Sequence, residues 1–388
     1  MENVDFCHGR SGGGTLFSHL MLLSPARRFS CTILLGLACF AVPAFAATHI
    51  DANDTRFTIM GRTLETDDGV LMAYPAVTLR FRYRGPAPTV HFKASNADSS
   101  FNLSCNGWAP VTIRLNEGDI AIALPTGSAP EDGWVIEFVR RNETWMGTTI
   151  FEGITLPEGG RLLAALPLPE RKILLLGDSA ACGEFIERFP PEDLDSHPRT
   201  INAGRSFGML LGKWLNAQSH IVAYGGRGVV TDWAGRTETN NAPQFFPLAN
   251  GDDPTALWDH DRYQPDVILI HLGIADFLVP TVVDEDYIMA WDALLDQVRA
   301  AHPDSPILIT ESVGLSEEPG TPRRAMRDQL KRCLLRVVEK RHEKGDPKVS
   351  FTPLGHYPGT PADPHPVAFQ HEQIALELMP AVKAATGW

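Results

Sequence analysis

From residue 57 to residue 155 the chain alternates apolar and polar residues in short runs, at 77–83, 89–92, 111–115 and 135–139, with Gly, Pro, Asn and Asp between them. Alternation of period two turns one face of each run to a core and the other to water. It predicts half-buried antiparallel strands and, over the whole stretch, a jelly-roll-like all-β sandwich. A Pro- and Gly-containing bridge at 156–170 ends the pattern. Beyond it, unbroken apolar runs at 172–176, 220–224, 267–272 and 307–310 alternate with helical periodicity at 206–216, 286–301 and 322–341. Strands with no polar face must be covered on both sides, so this half predicts a three-layer α/β domain around a parallel sheet. No internal repeat or long low-complexity tract interrupts either half.

The 388 residues exceed what one core usually fills. The patterns divide them into a leader at 1–46, a β-sandwich domain at 47–168 and an α/β domain at 169–388. In the leader, Arg27-Arg28 precede an apolar run at 29–42 and then Ala44-Phe45-Ala46. That is the form of a secretory signal peptide, with the start expected at Met21 and cleavage after Ala46, which implies a secreted or periplasmic protein. The apolar run of about 14 residues is short of the roughly 20 that span a bilayer, so no stable membrane insertion is expected after cleavage.

Composition, at 44% hydrophobic and 21% charged, is that of an ordinary soluble globular protein. A formal net charge of −13 argues against a nucleic-acid backbone or an anionic membrane as the main partner and favours neutral or weakly charged substrates. Cleavage would remove Cys7, Cys31 and Cys39 and leave Cys105, Cys182 and Cys333, enough for at most one disulfide. Cys333 shares an apolar face with Met326, Leu330, Leu334 and Val337 and reads as core. No Cys or His cluster has zinc spacing, and His365 and His371 are too far apart to sit on adjacent helical turns, so no metal is expected. No pattern in the chain specifies an oligomeric state.

Ligands of open α/β sheets sit beyond the carboxyl ends of the strands. Ser179 follows the first strand, Gly226 the second and Gly273 the third, which gathers them at one rim. A serine is a poor nucleophile without a base, a group to orient that base and donors for the oxyanion. His365 in Asp363-Pro364-His365-Pro366 is the leading base, because Pro366 would begin a C-terminal helix at 367–384 and fix the histidine just before it. Asp363 is the candidate orienter. Taken alone, that segment reads as a turn and helix cap, and Gly177-Asp178-Ser179 as a second cap. Together they point to a serine hydrolase.

The same residues resemble the blocks of the SGNH (GDSL-type) hydrolases. These are Gly177-Asp178-Ser179 with Cys182-Gly183, Ala223-Tyr224-Gly225-Gly226-Arg227-Gly228, the segment from Pro265-Asp266-Val267 through Leu272-Gly273-Ile274-Ala275-Asp276-Phe277, and Asp363-Pro364-His365-Pro366. More narrowly, Val139-Arg140-Arg141-Asn142-Glu143, the bridge into Lys172 and Trp258-Asp259 resemble carbohydrate esterase family two, acetyl esterases with a β-sandwich ahead of the SGNH domain. The resemblance implies Ser179 as nucleophile, His365 as general base and acid, Asp363 as its orienter, and the amides of Ser179 and Gly226 as oxyanion donors. It also implies an esterase that removes O-acetyl groups from polysaccharides and sugars without a cofactor.

Three positions depart from the family pattern: Ala275 replaces an asparagine that would give a third oxyanion donor, Pro364 replaces a tryptophan, and Gly225 replaces a serine. Ala275 motivates a second reading, a carbohydrate-binding protein that has kept the fold and lost most of the chemistry. Pro364 motivates a third, an esterase of a non-carbohydrate acyl ester. Trp233 and Trp258 are candidate sugar-facing aromatics. Asp178 and Asp276 are expected to cap turns, and His271 and His371 to be core. Arg323-Arg324, Arg327 and Lys331-Arg332 are expected to form a solvated helix face.

Overall fold

The computed structural model describes residues 47–124, 131–188, 197–278, 282–315, 320–360 and 363–388. The leader expected at 1–46, with Met21 and the cleavage after Ala46, lies outside them.

Two antiparallel sheets come first. One runs Thr63–Thr66, Gly69–Met72, Thr149–Leu156, Thr89–Ala94, Gly118–Ala123, with Thr48–Asp51 also paired to Thr149–Leu156. The other runs Arg161–Leu162, Thr78–Arg84, Trp134–Arg140, Ser100–Cys105, Val111–Arg114, with Thr58–Met60 also on Thr78–Arg84. Period two decides what faces inward: in Thr78–Arg84, Leu79, Phe81 and Tyr83 are buried while Arg80, Arg82 and Arg84 turn outward. The inward faces meet in an aromatic core, with Phe92 stacked on Phe101 at 5.1 Å and Phe57 edge-on to Phe151 at 5.0 Å.

The second half is a five-stranded parallel sheet in the order Ala217–Ala223, Arg171–Gly177, Val267–His271, Ile307–Thr310, Val349–Thr352. Alternate residues of each strand face opposite layers. Ile173, Leu175, Val267 and Leu269 pack with Phe207, Leu211, Ile374 and Leu378 of helices Phe207–Leu215 and Ala368–Thr386. Leu174, Leu176, Ile268 and Ile270 pack with Trp291, Leu295, Leu330 and Leu334 of helices Asp284–Ala301 and Pro322–Glu343. This is the expected three-layer α/β arrangement. The order of strands reverses direction around Arg171–Gly177, the topological switch point at which such sheets open a crevice.

Several expectations need correction. The sheet has a fifth strand that the apolar pattern does not mark, Val349–Thr352, in which only Val349 and Thr352 are buried and no unbroken apolar run forms. The C-terminal helix starts at Ala368 with Val367 as N-cap, two residues after Pro366. Arg327 does not belong to a solvated face. It is buried and donates to Glu311, the residue that follows strand Ile307–Thr310, at 2.8 Å and to the Leu354 carbonyl at 2.7 Å. Cys105, Cys182 and Cys333 are free thiols, which is within the limit of one disulfide, and Cys333 is buried as its apolar face implies.

Polar contacts join the antiparallel sheets to the parallel one. Asn102 donates to Asn202 Oδ1 at 2.7 Å, and Arg141 donates to Asn102 Oδ1 at 2.8 Å and to Glu187 at 2.6 Å. Thr144 donates to the carbonyl of Ala223, the last residue of its strand, at 2.6 Å. The segment 141–147 is thereby fixed at the carboxyl end of the parallel sheet. Removing a buried partner strands the groups it satisfied, so Arg141→Ala is expected to lower unfolding free energy by roughly 2–3 kcal/mol, the part-exposed Glu187 moderating the loss. Urea unfolding checks this, and a loss below about 0.5 kcal/mol would mean that water replaces Arg141 without cost.

Candidate active site

The strand Arg171–Gly177 ends against helix-turn Ser179–Cys182, and a Cβ at position 177 would collide with the Ala181 side chain, so only glycine lets the chain fold back this sharply. Asp178 caps the turn by accepting from the Ala180 amide at 3.1 Å. Its burial pushes the carboxyl up to about 7. Ser179 stands beyond the strand at the floor of a cleft of about 530 Å3.

Ser179 Oγ lies 2.8 Å from His365 Nε2, and His365 Nδ1 lies 2.7 Å from Asp363 Oδ1. With the Nδ1 proton assigned to the Asp363 bond, Nε2 is left to accept from the serine hydroxyl. Asp363 also accepts from the His365 amide at 2.9 Å. Buried Arg188 holds the segment by donating to the carbonyls of Asp363 at 3.0 Å and His365 at 3.1 Å. A third carboxylate, Glu184, places Oε2 3.3 Å from His365 Nε2. Burial disfavours the imidazolium, but Glu184, Asp363 and Asp178 more than offset it, and His365 titrates above the ordinary imidazole value. Asp363 is itself desolvated, yet His365 and Arg188 hold its carboxyl below the usual range.

The loop after strand Ala217–Ala223 carries Gly225 and Gly226 and forms one wall of the cleft. The Asp276 carboxylate pins it by accepting from the amides of Val229, Val230 and Thr231 at 2.9, 2.8 and 2.8 Å. Desolvation raises that carboxyl to about 6 in spite of the three donors. Asp232 fixes the other limb, accepting from the amides of Ala234 and Arg236. The Trp233 amide donates to the Gly226 carbonyl at 2.9 Å. Among the described residues the amides of Ser179 and Gly226 have no acceptor, and both residues line the cleft. Ala275, buried beside them, brings only a methyl group to the same wall.

The structure thus brings Ser179, His365, Asp363, Gly226 and Trp233 together, and Trp233 is 61% exposed. Trp258 is not in the cleft. It is buried, with the guanidinium carbons of Arg62 and Arg262 5.5 and 4.8 Å from its ring centre and His220 at its side, so it has no open face for a sugar.

Other residues at the site were missed. Trp145, from the β-sandwich side, lines the cleft at 44% exposure and donates its indole N–H to Glu143 at 3.0 Å. The Glu143 carboxyl fills the space a side chain at Gly225 would need. Burial and the neighbouring Glu184 raise it well above the usual carboxylate range. Glu184 follows Gly183, the left-handed cap that ends the Ser179–Cys182 turn, and no helical spacing ties it to the serine. Nothing in the sequence links Trp145 to Ser179. A side pocket of about 20 Å3 opens beside Ser179, walled by Ile274, Val313, Gly314, Pro364 and Pro366. No cluster of His, Cys, Asp and Glu among the described residues is arranged to hold a metal ion.

The chain matches two sequence profiles, Carbohydrate esterase 2 N-terminal over residues 59–166 and the GDSL-like Lipase/Acylhydrolase family over residues 175–370. It is 34% identical over 374 residues, 95% of this chain and 100% of the relative, to an acetylxylan esterase / glucomannan deacetylase of Cellvibrio japonicus. The structure superposes on a family two carbohydrate esterase from Cellvibrio japonicus with a TM-score of 0.81 and 32% identity, over 88% of this chain and 99% of that one. It shares the fold of a family two carbohydrate esterase from Clostridium thermocellum in complex with cellohexaose, at TM-score 0.75 and 24% identity, over 86% of this chain and 99% of that one.

Because Glu184 stabilises the protonated ring, Glu184→Gln is expected to lower the His365 titration midpoint, followed by NMR of the ring protons, and to carry the acid limb of any His365-dependent activity to lower pH. An unmoved midpoint would mean that the Glu184 carboxylate is neutral beside the ring.

Proposed function

This chain belongs to the family two carbohydrate esterases, carboxylic ester hydrolases, and we propose that it is an exported member that removes O-acetyl groups from polysaccharides or sugars through an acyl-enzyme on Ser179. The observation that carries the reading is the hydrogen-bonded series Ser179, His365, Asp363 on the floor of an open cleft. Ser179 Oγ attacks the acetyl carbonyl while His365 Nε2 takes its proton, and Asp363 with Glu184 stabilises the imidazolium that forms. The oxyanion lies against the amides of Ser179 and Gly226. His365 returns the proton to the departing sugar oxygen, and water repeats the sequence on the acetyl-serine. The side pocket of about 20 Å3 has room for a methyl group, and apart from the catalytic His365 its walls carry no ionisable side chain, which supports acetyl over longer acyl groups.

The exposed faces of Trp145 and Trp233 supply apolar platforms with polar edges suited to sugar rings. The name of the Cellvibrio relative supports acetylated xylan and glucomannan as the first substrates to try. Export rests on the pattern Arg27-Arg28, 29–42 and Ala44-Phe45-Ala46; no described helix is long and apolar enough to cross a membrane.

Ala275 supports the second reading, a carbohydrate-binding protein with weakened chemistry. One missing oxyanion donor typically costs about a hundred- to a thousandfold in rate, roughly 3–4 kcal/mol. The esterase reading expects acetate release from acetylated xylan or acetylated monosaccharides, with Ser179→Ala lowering the rate by at least about a thousandfold. Equal rates in the two proteins would remove Ser179 from the mechanism. Ala275→Asn is expected to raise kcat by about ten- to a hundredfold. No gain over an already fast enzyme would show that another donor has replaced the asparagine. A panel of acyl chain lengths and alcohols separates both readings from the ester of a non-carbohydrate alcohol.

A further inference from the structure

Although the chain carries a net charge of −13, the cleft that holds Ser179 is lined by the guanidinium side chains of Arg227, Arg236 and Arg323. Arg227 and Arg236 share one counter-ion: Asp232 Oδ2 is 3.4 Å from Arg227 NH1 and 2.7 Å from Arg236 Nε. Arg236 holds that carboxylate with both Nε and NH2, at 2.7 and 2.6 Å, and with its side chain 61% exposed NH1 is the nitrogen left to a ligand. Arg323, in the first turn of Pro322–Glu343, is exposed and makes no ion pair with a described residue. Its neighbours on the helix differ: Arg324 pairs with Asp328 at 3.0 Å, and Arg327 and Lys331 with Glu311 at 2.8 and 3.8 Å. The carboxylates that line the cleft, Asp178, Glu184 and Asp363, belong to the serine and histidine end, bonded to the Ala180 amide, His365 and Arg188. Among the described residues of the remaining wall, three guanidinium groups stand against the one carboxylate of Asp232, and low-dielectric walls concentrate such a field.

Resting on the esterase reading, we propose that the cleft takes an acidic glycan, binding the carboxylate of a uronic acid unit near the acetylated sugar through Arg323 together with Arg236 and Arg227. A guanidinium presents two parallel N–H groups that match a planar carboxylate. The anion belongs on the sugar side of the ester, because the side pocket at Ser179 is too small and too apolar for a charged acyl group. Exposed Trp145 and Trp233 line the same cleft and would hold the ring while the arginines read its charge. The chain's overall charge led to the expectation of a neutral or weakly charged substrate; the local field of the cleft points the other way.

The test uses the complete mature protein in two forms. In Ser179→Ala, calorimetry compares a xylo-oligosaccharide bearing a glucuronic acid branch with its carboxyl-reduced counterpart. Binding is expected to be about tenfold tighter for the acid, weakening with salt, and Arg323→Gln or Arg236→Gln is expected to remove most of that ratio. In the active enzyme, kcat/KM for an O-acetylated methyl glucuronoside over the matching acetylated glucoside should follow the same ratio in the same variants. Equal affinity for acid and neutral sugar, no binding of either, or a ratio unmoved by both substitutions would overturn the inference. A sulfated sugar bound more tightly than the uronate would also overturn it. Hydrolysis of neutral acetyl sugars with no acid preference would sink the inference and leave the esterase reading standing; acid-selective binding in a protein that cleaves no acetyl ester would do the reverse.

Discussion

The 2.8 Å contact between Ser179 Oγ and His365 Nε2 closes a gap of 186 residues, and the arrangement of the α/β half follows from the need to hold it. Ser179 is set by the end of an interior strand, whose position does not depend on any loop. His365 lies on a segment ahead of the last helix and needs other anchors. Arg188 supplies two of them by gripping the carbonyls on either side of Pro364, and Asp363 supplies the third through both the ring and the amide of His365. A buried guanidinium holding backbone carbonyls is costly to desolvate and is tolerated where position matters more than stability.

The acidic groups around that contact act at different depths. Asp363 and Glu184 touch the ring and favour its charged form, as an imidazolium formed during ester cleavage requires. Asp276 does not touch the serine or histidine at all. Its carboxylate holds three amides of the Gly226 loop, so the position of the Gly226 amide depends on a residue on a different strand connection. The antiparallel sheets contribute too, because Thr144 docks on Ala223 and brings Trp145 and Glu143 to the same rim. The β-sandwich therefore forms part of the cleft wall as well as covering the sheet.

Where a side chain's job is local, it was readable. Leu79, Phe81 and Tyr83 announce their sheet face by alternation, and Gly177-Asp178-Ser179 announces a strand-to-helix turn because that turn needs a small residue and a cap. Four of the five parallel strands have the apolar runs that burial demands, while Val349–Thr352 has only its two end residues buried and so lacks one. Readings that depended on where a side chain ends up in space fared differently. Trp258 and Trp233 look alike in sequence, yet one is enclosed by Arg62 and Arg262 and the other is open. Arg323 and Arg327 are four residues apart in one basic run, and one faces the cleft while the other is buried on Glu311. Trp145 reaches the site only through packing of two halves whose contact no local pattern encodes.

The central claim is covalent: an acyl group passes through Ser179. Rapid-quench mass spectrometry of the protein mixed with an activated acetate ester measures this directly. The account predicts one added acetyl group, located by peptide mapping on Ser179, lost over time in the wild-type chain and never formed in Ser179→Ala. Acetate released with no acetylated protein at any time, or an acetyl group on another residue in the same amount in both proteins, would contradict it.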